Sequence, residues 1–291
     1  MEWIEPSPVF TMAEVLARSG EAPAHSLGRS PGLSTGIIGL DGVLGGLEPG
    51  TLTVIASRPG VGRSTLLQNI CQWNAGGTLP ERTGSPSPVP VFLASLELST
   101  EQIAVRAMAT AGRVPRQRIR SGELDDEDKQ RLQVAEKVLM AAPLYVAAPE
   151  KITVEELGEH ARRMVRERGV ELVGVDGLEA LRGQNRQPGD LADELKALAR
   201  ELGTPLVVTA RLAPGLQRAP GMPSLGEVCE PVAFIADTLV LVHREDLYAS
   251  NTPRAGEADL FVAKARGTKP GVAPQIAFQG HYARFVDYTV A

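Results

Sequence analysis

Residues 57–65 read Ser-Arg-Pro-Gly-Val-Gly-Arg-Ser-Thr, a spacing typical of a loop that binds phosphate groups. The loop stands between the apolar stretch 51–56 and a helix-favouring stretch that begins at Thr65. Glycines let backbone N–H groups wrap the phosphates, whose charge faces the N-terminus of the helix. We predict nucleotide binding by the whole loop, which comprises Ser57, Arg58, Pro59, Gly60, Val61, Gly62, Arg63, Ser64 and Thr65. The alternative is a glycine-rich turn that holds no nucleotide.

Arg63 stands where such loops ordinarily carry lysine. Arginine keeps the positive charge but replaces a compact ammonium by a planar guanidinium, and the two groups are not interchangeable in a tight loop. We therefore expect nucleotide binding to survive and turnover to fall.

Two further apolar stretches end in a carboxylate. Residues 171–176 read as a buried strand that ends in Asp176, which would hold Mg²⁺ through water beside the Ser64 hydroxyl. Residues 91–97 read as a second strand, and Glu97 at its end is placed to polarise an attacking water as general base. Each carboxylate has a simpler interpretation, since an aspartate often caps a turn and a glutamate before a helix favours its dipole.

Lys264 and Arg266 follow the apolar stretch 260–263 at i, i+2 spacing, so their side chains point the same way on a strand or its exit. Two such cations can clamp a γ-phosphate, and in a ring they could act on the nucleotide of the neighbouring subunit. The plainer interpretation is a surface pair.

From Gly36 onward, strand-like stretches alternate with helix-like ones, which predicts an α/β fold with a mostly parallel sheet covered on both faces. Nine strands are predicted, and the last ones lie close enough together to form hairpins at the C-terminal edge; they span 51–56, 91–95, 144–147, 172–175, 206–209, 238–242, 260–263, 275–278 and 282–286.

Helix boundaries are marked by capping residues. Ser99 with Gln102 and Thr153 with Glu156 have capping-box spacing, and Asp190 is a candidate cap. Helix ends are indicated at Gly112 and Gly169. Residues 74–90 are polar and rich in glycine and proline, which predicts a mobile surface loop.

The first 33 residues differ from the rest of the chain. Residues 11–19 favour a short helix, and a turn-rich linker follows it. A helix of this length is marginal alone in water and needs a surface to lie on. We expect an N-terminal helix and linker at 1–33, which docks on a neighbouring subunit, and one main domain at 34–291.

Length and composition limit the class of protein that this chain can be. A chain of 291 residues can bury a sizeable core, and it has no apolar run that could span a bilayer and no signal-like start, so we expect a cytoplasmic protein without membrane contact. Cys71 and Cys229 lack metal-ligand spacing and are interpreted as buried small hydrophobes. The net charge of −5 leaves no broad electrostatic footprint for nucleic acid, although a local basic loop inside a ring would not show in this sum.

Taken in order, these landmarks resemble the C-terminal RecA-like motor domain of the DnaB-type replicative helicases. The resemblance covers residues 33–287 and is carried by Ser34-Thr35-Gly36, Leu40-Asp41 and the segments 95–102 (Ser-Leu-Glu-Leu-Ser-Thr-Glu-Gln), 118–124 (Arg-Ile-Arg-Ser-Gly-Glu-Leu), 195–202 and 262–266. RadA-like and KaiC-like ATPases share the pattern at 40–46 but not the segments 97–102 and 118–124.

The resemblance implies a RecA-like P-loop NTPase core that uses ATP and Mg²⁺. It also implies a homo-oligomer, a hexameric ring with nucleotide between subunits and single-stranded DNA in the central channel. By matching position, Glu97 is the catalytic glutamate, Asp176 the Walker B aspartate, and Lys264 and Arg266 the cations that act across the subunit interface. The helix at 11–19 corresponds to a linker helix that packs on the adjacent subunit.

Several departures from the family bear on coupling to DNA. The lysine of the phosphate loop is Arg63, and the sensor position after the strand 206–209, a glutamine in the family, is Arg211. Residues 228–231 (Val-Cys-Glu-Pro) stand where the family uses an Arg-Glu-Ser-Gly run against DNA phosphates, which weakens that contact. The family's N-terminal domain has no counterpart in this sequence, so we expect primase interaction to be unlikely.

A second loop is a candidate for DNA contact. Residues 182–187 contain Arg182 and Arg186 together with a glycine, which suits binding to phosphates and equally suits a solvated loop.

Two functions are compatible with these residues. The first is an ATP-dependent DNA motor or DNA-stimulated ATPase with attenuated hydrolysis, favoured by the retained Glu97, Asp176, Lys264 and Arg266. The second is a nucleotide-binding assembly or regulatory protein that oligomerises without helicase activity, favoured by the changes at the ATP and DNA positions. We favour the motor narrowly.

Overall fold

A single mixed sheet organises the chain. The computed structural model describes residues 32–77, 87–182, 186–212, 221–249, 251–266, 269–271 and 274–288. Within these ranges nine strands pair in the order β3-β2-β4-β5-β1-β6-β7-β8-β9. They are β1 Leu52–Ser57, β2 Val91–Ser95, β3 Leu144–Ala147, β4 Leu172–Asp176, β5 Leu206–Arg211, β6 Thr238–His243, β7 Glu257–Lys264, β8 Gln275–Gln279 and β9 Arg284–Asp287.

Strand direction divides the sheet into two parts. In the sheet order, the six strands β3, β2, β4, β5, β1 and β6 are parallel to one another. From β6 onward, each strand pairs antiparallel with the next, through β7 and β8 to β9. This confirms the predicted nine strands, the mostly parallel sheet and the C-terminal hairpins, with bounds that shift by a few residues.

Helices cover both faces of the sheet. They are α1 Ile38–Leu44, α2 Arg63–Asn74, α3 Thr100–Gly112, α4 Arg116–Ser121, α5 Asp126–Ala141, α6 Val154–Arg168, α7 Pro188–Leu202 and α8 Glu230–Ile235. Consecutive β1 residues point to opposite faces, so Val54 belongs to the core cluster that contains Leu157 of α6 and Leu195 of α7, while Ile55 belongs to the one that contains Leu66 of α2. Burial on both faces explains why these strands are continuous apolar runs. No helix in the described part of the chain is long and apolar enough to cross a membrane.

The capping boxes before α3 and α6 form as predicted, and Asp190 does cap α7, although from the third helical position and with Gln187 as the N-cap residue. Helix α7 begins earlier, at Pro188, whose fixed φ suits the first helical position. The Asp190 carboxylate therefore lies inside the first turn, where it accepts a hydrogen bond from the Gln187 backbone N–H at 2.9 Å. Gly169 ends α6 in the left-handed region, with a φ of 64°.

The two cysteines have different environments. Cys71 is fully buried on α2, and burial raises the pKa of its thiol, as expected for a small core hydrophobe. Cys229 is only half-buried because it precedes α8 at the surface, so its interpretation as a buried residue is wrong. The predicted N-terminal helix at 11–19 and most of the predicted loop at 74–90 lie outside the described residues.

Candidate nucleotide-binding site

The loop 57–65 leaves the centre of the sheet. Strand β1 lies between the parallel strands β5 and β6, and the loop follows its carboxyl end, where α/β sheets bind their ligands. Gly60 and Gly62 have φ values of 78° and 124°. A Cβ atom at Gly62 would lie 2.8 Å from Phe285 Cζ, so both the backbone and the close packing demand glycine here.

A cleft of about 480 Å³ opens over the loop. The predicted loop residues on its wall are Pro59, Gly60, Gly62, Arg63, Ser64 and Thr65. Glu97 and Arg211 line it as well. The sequence-predicted general base and sensor position therefore lie beside the phosphate loop.

Three residues of the loop, Ser57, Arg58 and Val61, do not line this cleft and have buried side chains. Ser57 and Val61 are buried, and the Ser57 hydroxyl donates to the Arg58 carbonyl. The Arg58 guanidinium is 1% exposed and donates to the Gly221 carbonyl at 2.7 Å and to Glu227 Oε2 at 2.8 Å. Arg58 thus joins the loop to the segment before α8.

Asp176 and Ser64 form the oxygen-rich corner of the site. Asp176 is 2% exposed, accepts a hydrogen bond from Thr209 Oγ1 at 2.8 Å and is hydrogen-bonded by the Ser64 hydroxyl. Burial raises the pKa of Asp176, and the bonds from Ser64 and Thr209 oppose that rise. A buried carboxylate beside a hydroxyl suits a hard cation that prefers oxygen ligands, so these two residues fit Mg²⁺.

Glu97 is held by two arginines. Arg63 Nη2 donates to Glu97 Oε1 at 2.8 Å and to Oε2 at 3.0 Å, and Arg211 Nη2 donates to Oε1 at 2.9 Å. Burial acts to raise the pKa of Glu97, but the charge of Arg63 and the hydrogen bonds from both arginines outweigh it, so the pKa is lowered. We call this group the arginine clamp.

The clamp joins Arg63 and Arg211, two positions at which the sequence predicted departures from the family. Arg211 pairs in register with Ser57 on the neighbouring strand, which sets its side chain next to the loop. Its backbone N–H donates to Glu179 Oε1 at 2.7 Å and fixes the end of β5. The sequence indicated each substitution separately, and only the sheet order brings both onto Glu97.

Sequence reasoning missed two cations of the cleft, Arg106 and Arg116. Both also line an adjoining groove of about 860 Å³ between α3 and α4. The Arg116 guanidinium donates to the Gly280 carbonyl at 3.1 Å. A signal was available for Arg106, because α3 begins three residues after Glu97 and its first turns must flank the cleft; Arg116 lies on α4, which no sequence signal placed here.

Lys264 and Arg266 lie at the opposite end of the sheet. Because β7 is antiparallel to β6, Lys264 pairs with Leu239 near the start of β6. Its ammonium donates to the Ala233 and Phe234 carbonyls at 3.1 and 2.5 Å, and Arg266 Nη2 lies 2.7 Å from Asp237 Oδ1. The ends of the six-residue strand β6 are roughly 17 to 20 Å apart, so these cations do not reach the cleft of their own chain.

The candidate DNA-contacting arginines differ in their surroundings. Arg182 is exposed, and its backbone N–H donates to the Ile152 carbonyl. Arg186 is ion-paired with Glu155 and Glu194, which neutralise its charge within the chain. Residues 183–185 between them lie outside the described residues.

Known proteins similar to this chain are replicative helicases. The replicative DNA helicase DnaB of Leifsonia xyli subsp. xyli is 34% identical over 276 residues, which are 92% of this chain and 58% of that protein. The replicative DNA helicase DnaC of Bacillus subtilis is 29% identical over 266 residues, which are 88% of this chain and 56% of that protein. The chain therefore spans a little over half the length of these curated relatives.

Solved structures share the fold. One of them, an isolated ATPase domain, superimposes with a TM-score of 0.83 and 21% identity, covering 97% of this chain and 100% of that chain. A DnaB-like replicative helicase, described with its interactions with primase, gives a TM-score of 0.80 and 21% identity over 97% of this chain and 68% of that chain. The sequence model of the DnaB-like helicase C terminal domain matches residues 32–287. This chain therefore belongs to the family of the DnaB-like helicase C-terminal domain.

Proposed function

We propose that this chain is the ATP-driven motor part of a DnaB-type helicase, a DNA-stimulated ATPase that acts as an oligomeric ring on single-stranded DNA and hydrolyses ATP slowly. The observation that carries the proposal is that the phosphate loop and Glu97 line one cleft, with Asp176 buried behind Ser64 and hydrogen-bonded to it. Its relatives are named replicative DNA helicases, which supports DNA as the polymer on which the motor works.

Each group in the cleft has a role that follows from its position. Backbone N–H groups of the loop and the N-terminus of α2 bind the phosphates of ATP. Ser64 and Asp176 hold Mg²⁺, which neutralises charge on the phosphates. Glu97 orients and polarises the attacking water once its carboxylate is free.

An oligomer is supported by the placement of Lys264 and Arg266. Both lie at the end of the sheet remote from the cleft of their own chain, so a role at a γ-phosphate requires the nucleotide of a neighbouring subunit. A hexamer with nucleotide between subunits satisfies this requirement. We further propose that residues 1–33 form a separate helix and linker, whose helix at 11–19 docks on the adjacent subunit, while the ATPase domain spans 34–291.

DNA contact is proposed at the loop that carries Arg182 and Arg186. The exposed Arg182 can reach phosphates, whereas Arg186 must first leave Glu155 and Glu194. We expect weak DNA binding, because phosphate contacts supply most of the sequence-independent affinity.

One observation favours the second candidate, a nucleotide-binding assembly protein without helicase activity. The arginine clamp engages both oxygens of Glu97 and lowers its pKa, so the carboxylate is a poor general base while the clamp is closed. If the clamp stays closed with ATP bound, the chain binds and assembles but does not turn over.

The deciding experiment is ATP hydrolysis by the purified chain with and without single-stranded DNA. We expect slow turnover that DNA stimulates, loss of turnover in Glu97→Gln, and a severalfold gain in Arg63→Lys. The matched control is Glu101→Gln, an exposed carboxylate bonded to Ser99 and Thr100, which should leave the rate within about twofold.

One outcome would contradict the motor and another the docking helix. Absence of turnover in the parent chain, together with no further loss in Glu97→Gln, leaves only the assembly protein. For the docking helix, deletion of residues 1–20 should shift the particle mass toward the monomer, and an unchanged mass would refute that part of the proposal.

A further inference from the structure

The arginine clamp is a compact, closed arrangement at the mouth of the cleft. The side chains of Arg63 and Glu97 are 8% and 20% exposed, and Arg211 closes the group from the solvent side with 53% exposure. Both carboxylate oxygens are engaged. Arg63 Nε is buried and has no hydrogen-bond partner among the residues that the structure describes.

This arrangement opposes two roles in catalysis. Glu97 already accepts three N–H bonds from two guanidinium groups, which leaves about one of its four lone-pair positions, and the adjacent positive charges lower its basicity toward an attacking water. The residue at the Arg63 position reaches the β- and γ-phosphates in loops of this kind, yet its guanidinium is turned onto Glu97. A change of partner would restore the basicity of Glu97 and turn Arg63 toward the phosphates.

A nucleotide supplies the partner that makes the exchange favourable. A terminal phosphate presents three strong acceptor oxygens and roughly two negative charges, compared with two oxygens and one charge on Glu97. It can satisfy the buried Nε of Arg63, which the carboxylate leaves unpaired. Arg211 lies on the same cleft wall and can turn with it, because its side chain is half-exposed.

We infer that the arginine clamp is a lock that the terminal phosphate of a nucleotide opens, by taking Arg63 and Arg211 from Glu97 and so releasing the general base. The inference rests on the proposed function, since it requires that the cleft bind a nucleoside triphosphate. Arg211 acts here as a positioning residue through Glu97. The lock lowers the affinity of the cleft for nucleotide, because the phosphate must compete with Glu97 for the two arginines. It also keeps Glu97 inactive while the cleft is empty.

Binding of the non-hydrolysable analogue AMP-PNP with Mg²⁺ to the full chain tests the lock without relying on turnover. Glu97→Gln removes the competitor, and we expect roughly tenfold tighter binding, the equivalent of one charge-assisted hydrogen-bonded pair. Lower negative charge in the cleft would also tighten binding, so a second variant must keep the charge.

Glu97→Asp supplies that discrimination. The shorter side chain retains the carboxylate but cannot span both guanidiniums, so the lock predicts severalfold tighter binding, whereas a pure charge effect predicts no change. In addition, Arg211→Gln should reduce the gain from Glu97→Gln by at least about threefold, since contacting residues couple in a double-mutant cycle. Glu101→Gln is the matched control, because its carboxylate contacts neither guanidinium.

The outcomes separate the lock from the proposed function. Unchanged binding in Glu97→Asp, together with an equal effect of Glu97→Gln with and without Arg211, would refute the lock and leave nucleotide binding intact. If the parent and every variant fail to bind AMP-PNP while circular dichroism shows folded protein, the nucleotide-binding function itself is wrong.

Discussion

Replacing Arg58 by methionine should destabilise the fold although the residue lies in the phosphate loop. The substitution keeps a long apolar side chain but removes the donors to the Gly221 carbonyl at 2.7 Å and to Glu227 Oε2 at 2.8 Å. It also removes the contact of the guanidinium with the Tyr248 ring, 5.6 Å from the centroid. The Glu227 side chain, 14% exposed, is left with a charge that has lost this partner.

The magnitude follows from burial. Removal of one partner from a buried ion pair costs about 3 to 5 kcal/mol, and the partial exposure of Glu227 reduces this to about 2 to 4 kcal/mol. For a domain of this size, each kcal/mol lowers the Tm by about 2 to 4 °C, so we expect a fall of roughly 5 to 15 °C. Urea unfolding gives the change in free energy and thermal unfolding gives the change in Tm, both followed by circular dichroism at one protein concentration and without nucleotide.

The matched control is a bidentate but exposed ion pair. Arg162 donates to both oxygens of Glu201 at 2.6 and 2.8 Å, with side chains 40% and 52% exposed. Arg162→Met should cost less than about 1 kcal/mol, because solvent screens an exposed pair. If Arg58→Met costs no more than Arg162→Met, the reasoning from burial is wrong. Adding Glu227→Gln to Arg58→Met should recover part of the loss, since it removes the unpaired charge.

Three other changes have defined outcomes. Gly174→Ala on β4 would place a Cβ 2.7 Å from Cys71 Sγ and should cost about 1 to 3 kcal/mol in urea unfolding. Cys71→Ala should relieve most of this loss, and a loss that Cys71→Ala leaves unchanged would contradict the packing argument. Asn69 bonds the Ala283 carbonyl and the Phe285 N–H, so Asn69→Ala should speed hydrogen exchange of that amide and cost about 1 to 3 kcal/mol; unchanged exchange would refute the tether. The pKa of Glu97 is lowered, so the stability that its ionised form adds is present above the ordinary value of 4.5 and is lost as pH falls through the lower folded value. The difference in unfolding free energy between the parent and Glu97→Gln should therefore be constant near neutral pH and change only below the ordinary pKa of 4.5. A change near pH 7 would contradict the clamp.

Local sequence pattern determined most of the secondary structure. The strands β1 and β4 are buried along their whole length, so each reads as a continuous apolar run bounded by turn residues. The capping boxes at Ser99 and Thr153 depend on residues three positions apart, which is why their helices could be placed from sequence. Asp190 was recognised as a capping residue of α7, but its position within the first turn was not, because Pro188 starts the helix two residues earlier.

The phosphate loop was likewise determined by the sequence. Its glycines serve backbone conformations with positive φ that the spacing alone indicates, and Ser64 follows at a fixed offset. The sequence did not determine what its two arginines contact. Arg58 turns toward Glu227 and Arg63 toward Glu97, partners that are 169 and 34 residues away.

Tertiary structure alone decided how the site is coupled. Strand order sets β5 beside β1, so Arg211 meets a loop that precedes it by about 150 residues, and Arg63 and Arg211 converge on Glu97. The reversal of β7 carries Lys264 to the opposite end of the sheet. Such pairings arise from long-range burial and hydrogen bonding between strands, whereas hydrophobic periodicity records only which face of each element is buried. The sequence therefore determined which groups are present, and the sheet decided which of them act together.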